Sequence, residues 1–250
     1  MFLAACGGSN VSGGNPTKGG TLTLLTQSEQ ILHLDPQRNY TGEDLAFANG
    51  YLQRTLTAYR LSPDPDKAGQ LVADLATDTG TSSDGGRVWK FTIRDGVTWE
   101  NGQPVTCEDV KYGVSRTFAT SVITDGPTYA ISLLDIPQPQ GDFNYTVTLL
   151  SFAPVPKAFY TAEKYDSKPL SNGPYKILTY QKKTKLVLVR NPQWSAAVDS
   201  YRPAYPDRIE YLFGIQDALI TERLIADAAD DQRTISPDSI VSAKLAAVFN

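Results

Sequence analysis

Short β-type runs, each closed by a turn that few residue pairs can make, constrain this chain more than any other feature. Thr21–Thr26 is β-branched and apolar along its length, which predicts a buried strand. Val88–Arg94 alternates, with Trp89, Phe91 and Ile93 on one face, and predicts a half-buried strand. Tyr145–Leu150, Lys176–Tyr180, Lys185–Arg190 and Arg208–Phe213 read the same way. The closures are Ser83-Asp84-Gly85-Gly86, Asp95-Gly96, Asn101-Gly102 and Asn172-Gly173-Pro174-Tyr175, and Asp-Gly and Asn-Gly accept the positive φ of tight turns. No apolar run approaches the roughly 20 residues that span a bilayer. No internal repeat supports a solenoid or propeller.

Helical periodicity sits between these runs, so the expected class is mixed α/β. Leu45, Ala46, Ala48, Leu52 and Leu56 predict a helix over Glu43–Tyr59. Thr106, with Asp109 three residues on, has the signature of a capping box opening a helix to about Phe118. Ile220, Leu224 and Ala228 predict an amphipathic helix over Asp217–Ala229. Ser236-Pro237 reads as a further helix start. With 250 residues, 41% of them hydrophobic, one large or two modest domains can be built.

Catalytic chemistry finds little to work with. His33 is the single imidazole and no Gly-x-Ser-x-Gly elbow occurs, so His33 is expected to be structural. Cys107 opens a helix but adjoins Glu108 and Asp109, which oppose thiolate formation. Two cysteines, Cys6 and Cys107, exclude a disulfide scaffold and a multi-cysteine zinc site. Phosphate-cradling glycine motifs are absent. Asp64–Gly69 begins like a calcium loop, yet Ala68 and Leu75 stand where ligands belong. Asp227, Asp230 and Asp231 oppose the dipole at the end of a helix and are expected to face water. A net charge of −4 offers no basic surface to nucleic acid. No enzyme activity, metal or cofactor is expected, and a binding module is the class that remains.

The N-terminal Leu3-Ala4-Ala5-Cys6 fits a bacterial lipoprotein box, followed by a Gly/Ser/Asn/Pro tether to Gly20. The charged and most of the apolar part of a signal peptide are absent, so either an upstream leader precedes this start or the product is defective in export. Gly19–Leu24, Leu34-Asp35-Pro36, Leu56–Tyr59, Leu71–Ala76, Trp89–Val97, Asn101–Thr106 and Glu108–Tyr112 follow in order, then Asn172–Lys176, Leu186–Pro192 and Ile209-Glu210-Tyr211. This succession resembles the family 5 extracellular solute-binding proteins, the dipeptide, oligopeptide and nickel receptors of bacterial ABC importers.

The resemblance implies a periplasmic-binding-protein-like class II fold. Residues 1–20 would be lipobox and tether, and 21–215 the first lobe, lacking its C-terminal return. Residues 216–250 would be the crossover towards a second lobe. Ligand lies between two lobes in that family, and the loop after the first strand commonly lines the cleft. Here that loop supplies Gln27, Ser28, Gln30, Ile31 and Leu32. The implied partners are a peptide or other small solute, the permease subunits of an importer, and the membrane through lipid on Cys6, at the outer face of the cell membrane. Members are usually far longer, so impaired binding is expected of these 250 residues. A nickel chelate or sugar as ligand, and a surface lipoprotein that transports nothing, are the alternatives.

Overall fold

The computed structural model describes residues 16–238 apart from 61, 63, 87, 120, 122, 127–152 and 162. The lipobox with Cys6, the strand expected over Tyr145–Leu150 and the continuation of any helix beyond Asp238 lie outside the described residues.

A five-stranded sheet carries the fold. Its strands are β1 (Thr21–Leu25), β6 (Tyr175–Gln181), β7 (Lys185–Arg190), β8 (Arg208–Leu212) and β9 (Thr234–Ile235), in the order β6-β7-β8-β1-β9. The hairpin β6–β7 and the pair β7–β8 are antiparallel, whereas β1 runs parallel to both β8 and β9. Leu186, Val187 and Leu188 of β7 are all buried, as expected of an inner strand covered on both faces. One face packs Leu24, Ile177, Leu186, Leu188, Ile209 and Tyr211 with Phe47 of the first helix, α1 (Gly42–Tyr51), and with Leu52, which caps it.

Around this sheet lie two small antiparallel hairpins, β2 (Thr57–Tyr59) with β3 (Leu71–Ala73), and β4 (Thr81–Ser83) with β5 (Val88–Lys90). Three more α-helices are described, α2 (Cys107–Arg116), α3 (Glu163–Ser167) and α4 (Asp217–Ala226), with short 3-10 helices at Asp84–Gly86 and Lys157–Phe159. The capping box of α2 forms as its sequence predicts. Asp109 N–H donates to Thr106 Oγ1 at 3.2 Å, and Thr106 N–H to Asp109 Oδ2 at 2.9 Å.

Three expectations need correction. The helix expected over Glu43–Tyr59 stops at Tyr51. The Leu52 carbonyl is taken by Gly173 N–H (3.0 Å), Asn172 N–H (3.2 Å) and the Ser171 hydroxyl (2.6 Å). Arg54 is then buried against Asp74, and Leu56–Tyr59 runs extended beside β3. Tertiary pairing thus overrides a helical period that is locally sound. The strand expected over Val88–Arg94 leaves its partner β4 at Lys90. It shifts to the chain before β4, where Thr77 N–H donates to Thr92 O and Arg94 N–H to Leu75 O. Phe91 and Ile93 nevertheless share a face, packed on Leu56, Ala76 and Val110.

The third correction concerns the acidic group at the end of α4. Asp227 adopts the left-handed conformation and ends the helix. Asp231 does not simply face water. It accepts from Arg223 Nε at 2.9 Å and from Thr234 Oγ1 at 3.3 Å, tying α4 to β9. That hydrogen bond from Arg223 holds the Asp231 carboxyl below its ordinary range.

Candidate functional site

In open α/β sheets, ligands collect outside the carboxyl ends of parallel strands. Here those ends belong to β8, β1 and β9, and the chain leaving β1 is the loop Gln27–Leu32. Gln27, Ser28 and Leu32 are exposed and Gln30 is half-buried. Ile31 is only 1% exposed and packs in the main core. Its side chain therefore anchors the loop.

Both ends of the loop are fixed. At the start, Ile215 N–H donates to Thr26 O (3.0 Å) and Gly214 N–H to Ser28 O (3.0 Å), joining it to the chain leaving β8. Ser28 N–H donates to Thr26 Oγ1 at 3.1 Å. Thr26 Oγ1 donates to Asp238 Oδ1 at 2.9 Å, and Gln27 N–H to Asp238 Oδ2 at 2.6 Å. Midway, Tyr180 OH donates to Ile31 O at 2.6 Å. Burial pushes that phenol up to about 12, so at neutral pH it stays a neutral donor. At the far end the His33 ring sits 2.7 Å from Asp166 Oδ2 and 3.3 Å from Asp125 Oδ2, and Asp35 N–H donates to Asp166 Oδ1. His33 is thus a brace between the loop, α3 and the 123–126 segment, the structural role its sequence context predicts.

Between these anchors, residues 29–32 take part in no backbone–backbone hydrogen bond among the described residues. Main chain without backbone partners can receive hydrogen bonds from another segment, and here this applies chiefly to residues 29 and 30, because Ile31 O is held by Tyr180 and the Leu32 N–H by the Asp44 carboxylate.

Two buried charge clusters elsewhere in the fold were missed in the sequence. Arg54 and Arg202 enclose Asp74, with Arg54 Nε at 2.7 Å and Arg202 Nη2 at 2.8 Å from its carboxylate oxygens. Asp199 lies 3.2 Å from Arg202 Nη1 and accepts from Trp194 Nε1 at 2.8 Å. Arg116 of α2 pairs with Asp35, donates to Gln37 Oε1 at 2.6 Å, and lies 4.2 Å from the Tyr160 ring centroid. Each cluster joins residues far apart in the chain, and no local pattern marks such pairs. Among the described residues, no group of three or more His, Cys, Asp or Glu side chains could hold a metal ion. No described helix is long and apolar enough to cross a membrane.

Comparison with known proteins agrees with this architecture. The chain is similar to the oligopeptide-binding protein OppA of Bacillus subtilis (strain 168), 33% identical over 119 residues, covering 45% of this chain and 20% of that protein. It is 26% identical over 178 residues to the probable D,D-dipeptide-binding periplasmic protein DdpA of Escherichia coli (strain K12), covering 64% and 34%. The solved clavulanic acid biosynthesis oligopeptide binding protein 2 superposes with a TM-score of 0.76 at 36% identity, over 85% of this chain and 43% of that one. The Bacillus subtilis oligopeptide-binding protein AppA, solved with a nonapeptide, shares the fold at a TM-score of 0.67 and 19% identity, over 88% and 46%. The chain therefore spans a fifth to a third of these curated relatives and less than half of these solved structures. Residues 70–249 match the model of the bacterial extracellular solute-binding proteins, family 5 middle region. With that match across most of its length, the chain belongs to the family 5 bacterial extracellular solute-binding proteins.

Proposed function

We propose that this chain is the oligopeptide-binding receptor component of an ABC importer and carries no catalytic role. The observation that carries the reading is the main chain of residues 29–32, free of backbone pairing at the carboxyl ends of β8, β1 and β9. A peptide laid beside it would be held by main-chain hydrogen bonds, with little demand on side-chain identity. Oligopeptide-binding relatives at 33% and 36% identity support a peptide over other solutes. Residues 21–215 are proposed as the first lobe and 216–250 as the crossover towards the second. These residues present one wall of the site, so binding weaker than about micromolar is expected of them alone.

Calorimetric titration with unmodified tri- to nonapeptides tests this. Gln30→Ala and Leu32→Ala are expected to change affinity by less than about threefold, and Gln30→Pro, which deletes an N–H, to lower it at least about tenfold. Equal losses in all three variants would point to side-chain recognition and contradict the reading. Permease subunits as partners, and a lipid on Cys6 holding the protein to the outer face of the membrane, belong to the same proposal. The Leu3–Cys6 box and the following tether support the anchor. Cys6→Ser should then move the cell-expressed protein from the membrane to the soluble fraction, and unchanged fractionation would refute the anchor.

A further inference from the structure

We propose that Asp238 is a positioning residue that latches the start of the cleft loop to the chain leaving β9. Pairing of β1 with β9 ends at Leu24 and Ile235. Beyond it, among the described residues, the two backbones exchange no further hydrogen bonds, and the Asp238 carboxylate takes over. Its two oxygens accept separately, one from the Thr26 hydroxyl and one from the Gln27 N–H. A carboxylate receiving a backbone N–H makes one of the stronger hydrogen bonds available to a chain.

Thr26 transmits the effect one step further. Its hydroxyl is fully buried, so its single hydrogen and its lone pairs have defined partners. With the hydrogen given to Asp238, the oxygen is oriented to accept Ser28 N–H. Ser28 O in turn receives Gly214 N–H from the chain leaving β8. Asp238 itself is set by a local turn, its N–H donating to Ser236 Oγ at 3.1 Å. One carboxylate thus fixes two successive positions of the loop, and hydrogen bonds tie together the ends of all three parallel strands. Because coupling between sites is reciprocal, ligand on the loop and the orientation of residues 236–238 must influence each other.

This inference rests on the peptide-receptor reading for its ligand, and its test separates the two. In the 250-residue chain, Asp238→Ala is expected to raise amide exchange at Gln27 and Ser28 at least about tenfold, with Leu22 and Leu24 of β1 unchanged. Thr26→Val deletes only the relay, so it should release Ser28 and leave Gln27 protected. Tri-alanine affinity should fall at least about fivefold in Asp238→Ala, and Asp238→Asn, which keeps one acceptor oxygen, should recover part of the loss. Unchanged exchange at Gln27 in a folded Asp238→Ala protein would overturn the latch. So would faster exchange with unchanged affinity, or joint release of Gln27 and Ser28 in Thr26→Val. If the parent chain binds no tri-alanine, the peptide reading fails, while Gln27 exchange still decides the latch.

Discussion

Asp74→Ala is expected to lower the stability of the protein by about 3–5 kcal/mol at neutral pH, measured by urea denaturation. The Asp74 carboxylate is fully buried, and it balances Arg54 and Arg202, themselves 1% and 3% exposed. Removing it leaves two guanidinium groups facing one remaining carboxylate, Asp199. Burial alone would raise the Asp74 pKa, but the charge and hydrogen bonds of Arg202, then Arg54, outweigh it and hold the carboxyl below its ordinary range. The sign of the pH dependence follows. A folded-state pKa below the unfolded one gives stability that is fully present above about pH 4 and is lost as pH falls through the folded value. The gap between parent and Asp74→Ala should therefore narrow as the pH is lowered below about 4. A gap that is constant from pH 7 to pH 2.5 would show that Asp74 contributes packing and no charge.

Trp99→Ala should cost a similar amount, about 3–5 kcal/mol. Trp99 is 1% exposed and fills a cluster with Leu75, Val97 and Val105, to which Leu170 and Val198 are bolted from the segments flanking β6 and β7. Its Nε1 also donates to Asp109 Oδ2 at 3.3 Å, so the indole buttresses the cap of α2. Trp99→Phe keeps much of the ring volume and loses the donor, and about half the cost is expected of it. A loss below about 1 kcal/mol in the alanine variant would mean that this cluster collapses around the void and holds little of the fold together.

Much of the scaffold is legible in the residues because its signals are local. The Thr106–Asp109 cap sits within four positions, and β6, β7 and β8 lie within a residue or so of the runs that predict them. What escapes is set by contacts across the chain. Nothing in Leu45–Leu56 announces that Ser171–Gly173 will occupy the Leu52 carbonyl and stop α1. Gly173 reads as a turn glycine, yet its φ is not positive. The structure needs it for closeness instead, since a Cβ there would lie 2.8 Å from Leu52 C and 2.9 Å from the carbonyl oxygens of Leu52 and Tyr51.

The site divides the same way. The loop Gln27–Leu32 could be placed from family resemblance, but not the inward turn of Ile31 or the lack of backbone–backbone pairing at residues 29–32 among the described residues. Ser236-Pro237 reads as a helix start, and that local reading conceals the Asp238 carboxylate, which is spent on Thr26 and Gln27 some 211 positions earlier. Asp74 and Arg202, 128 positions apart, are ordinary surface-type residues in the sequence and become a buried pair only through the fold.

Peptide is proposed to lie along the main chain at the carboxyl ends of β8, β1 and β9. Amide NMR of the isotope-labelled 250-residue chain, titrated with tri-alanine to about 10 mM, reads this even where affinity is low. Shifts are expected at Gln27, Ser28, Gln30, Ile31 and Leu32, with smaller ones at Gly214, Ile215 and Asp238. Shifts confined to other surfaces, such as the exposed Leu219 and Ile225 of α4, or no shifts across the titration, would contradict it.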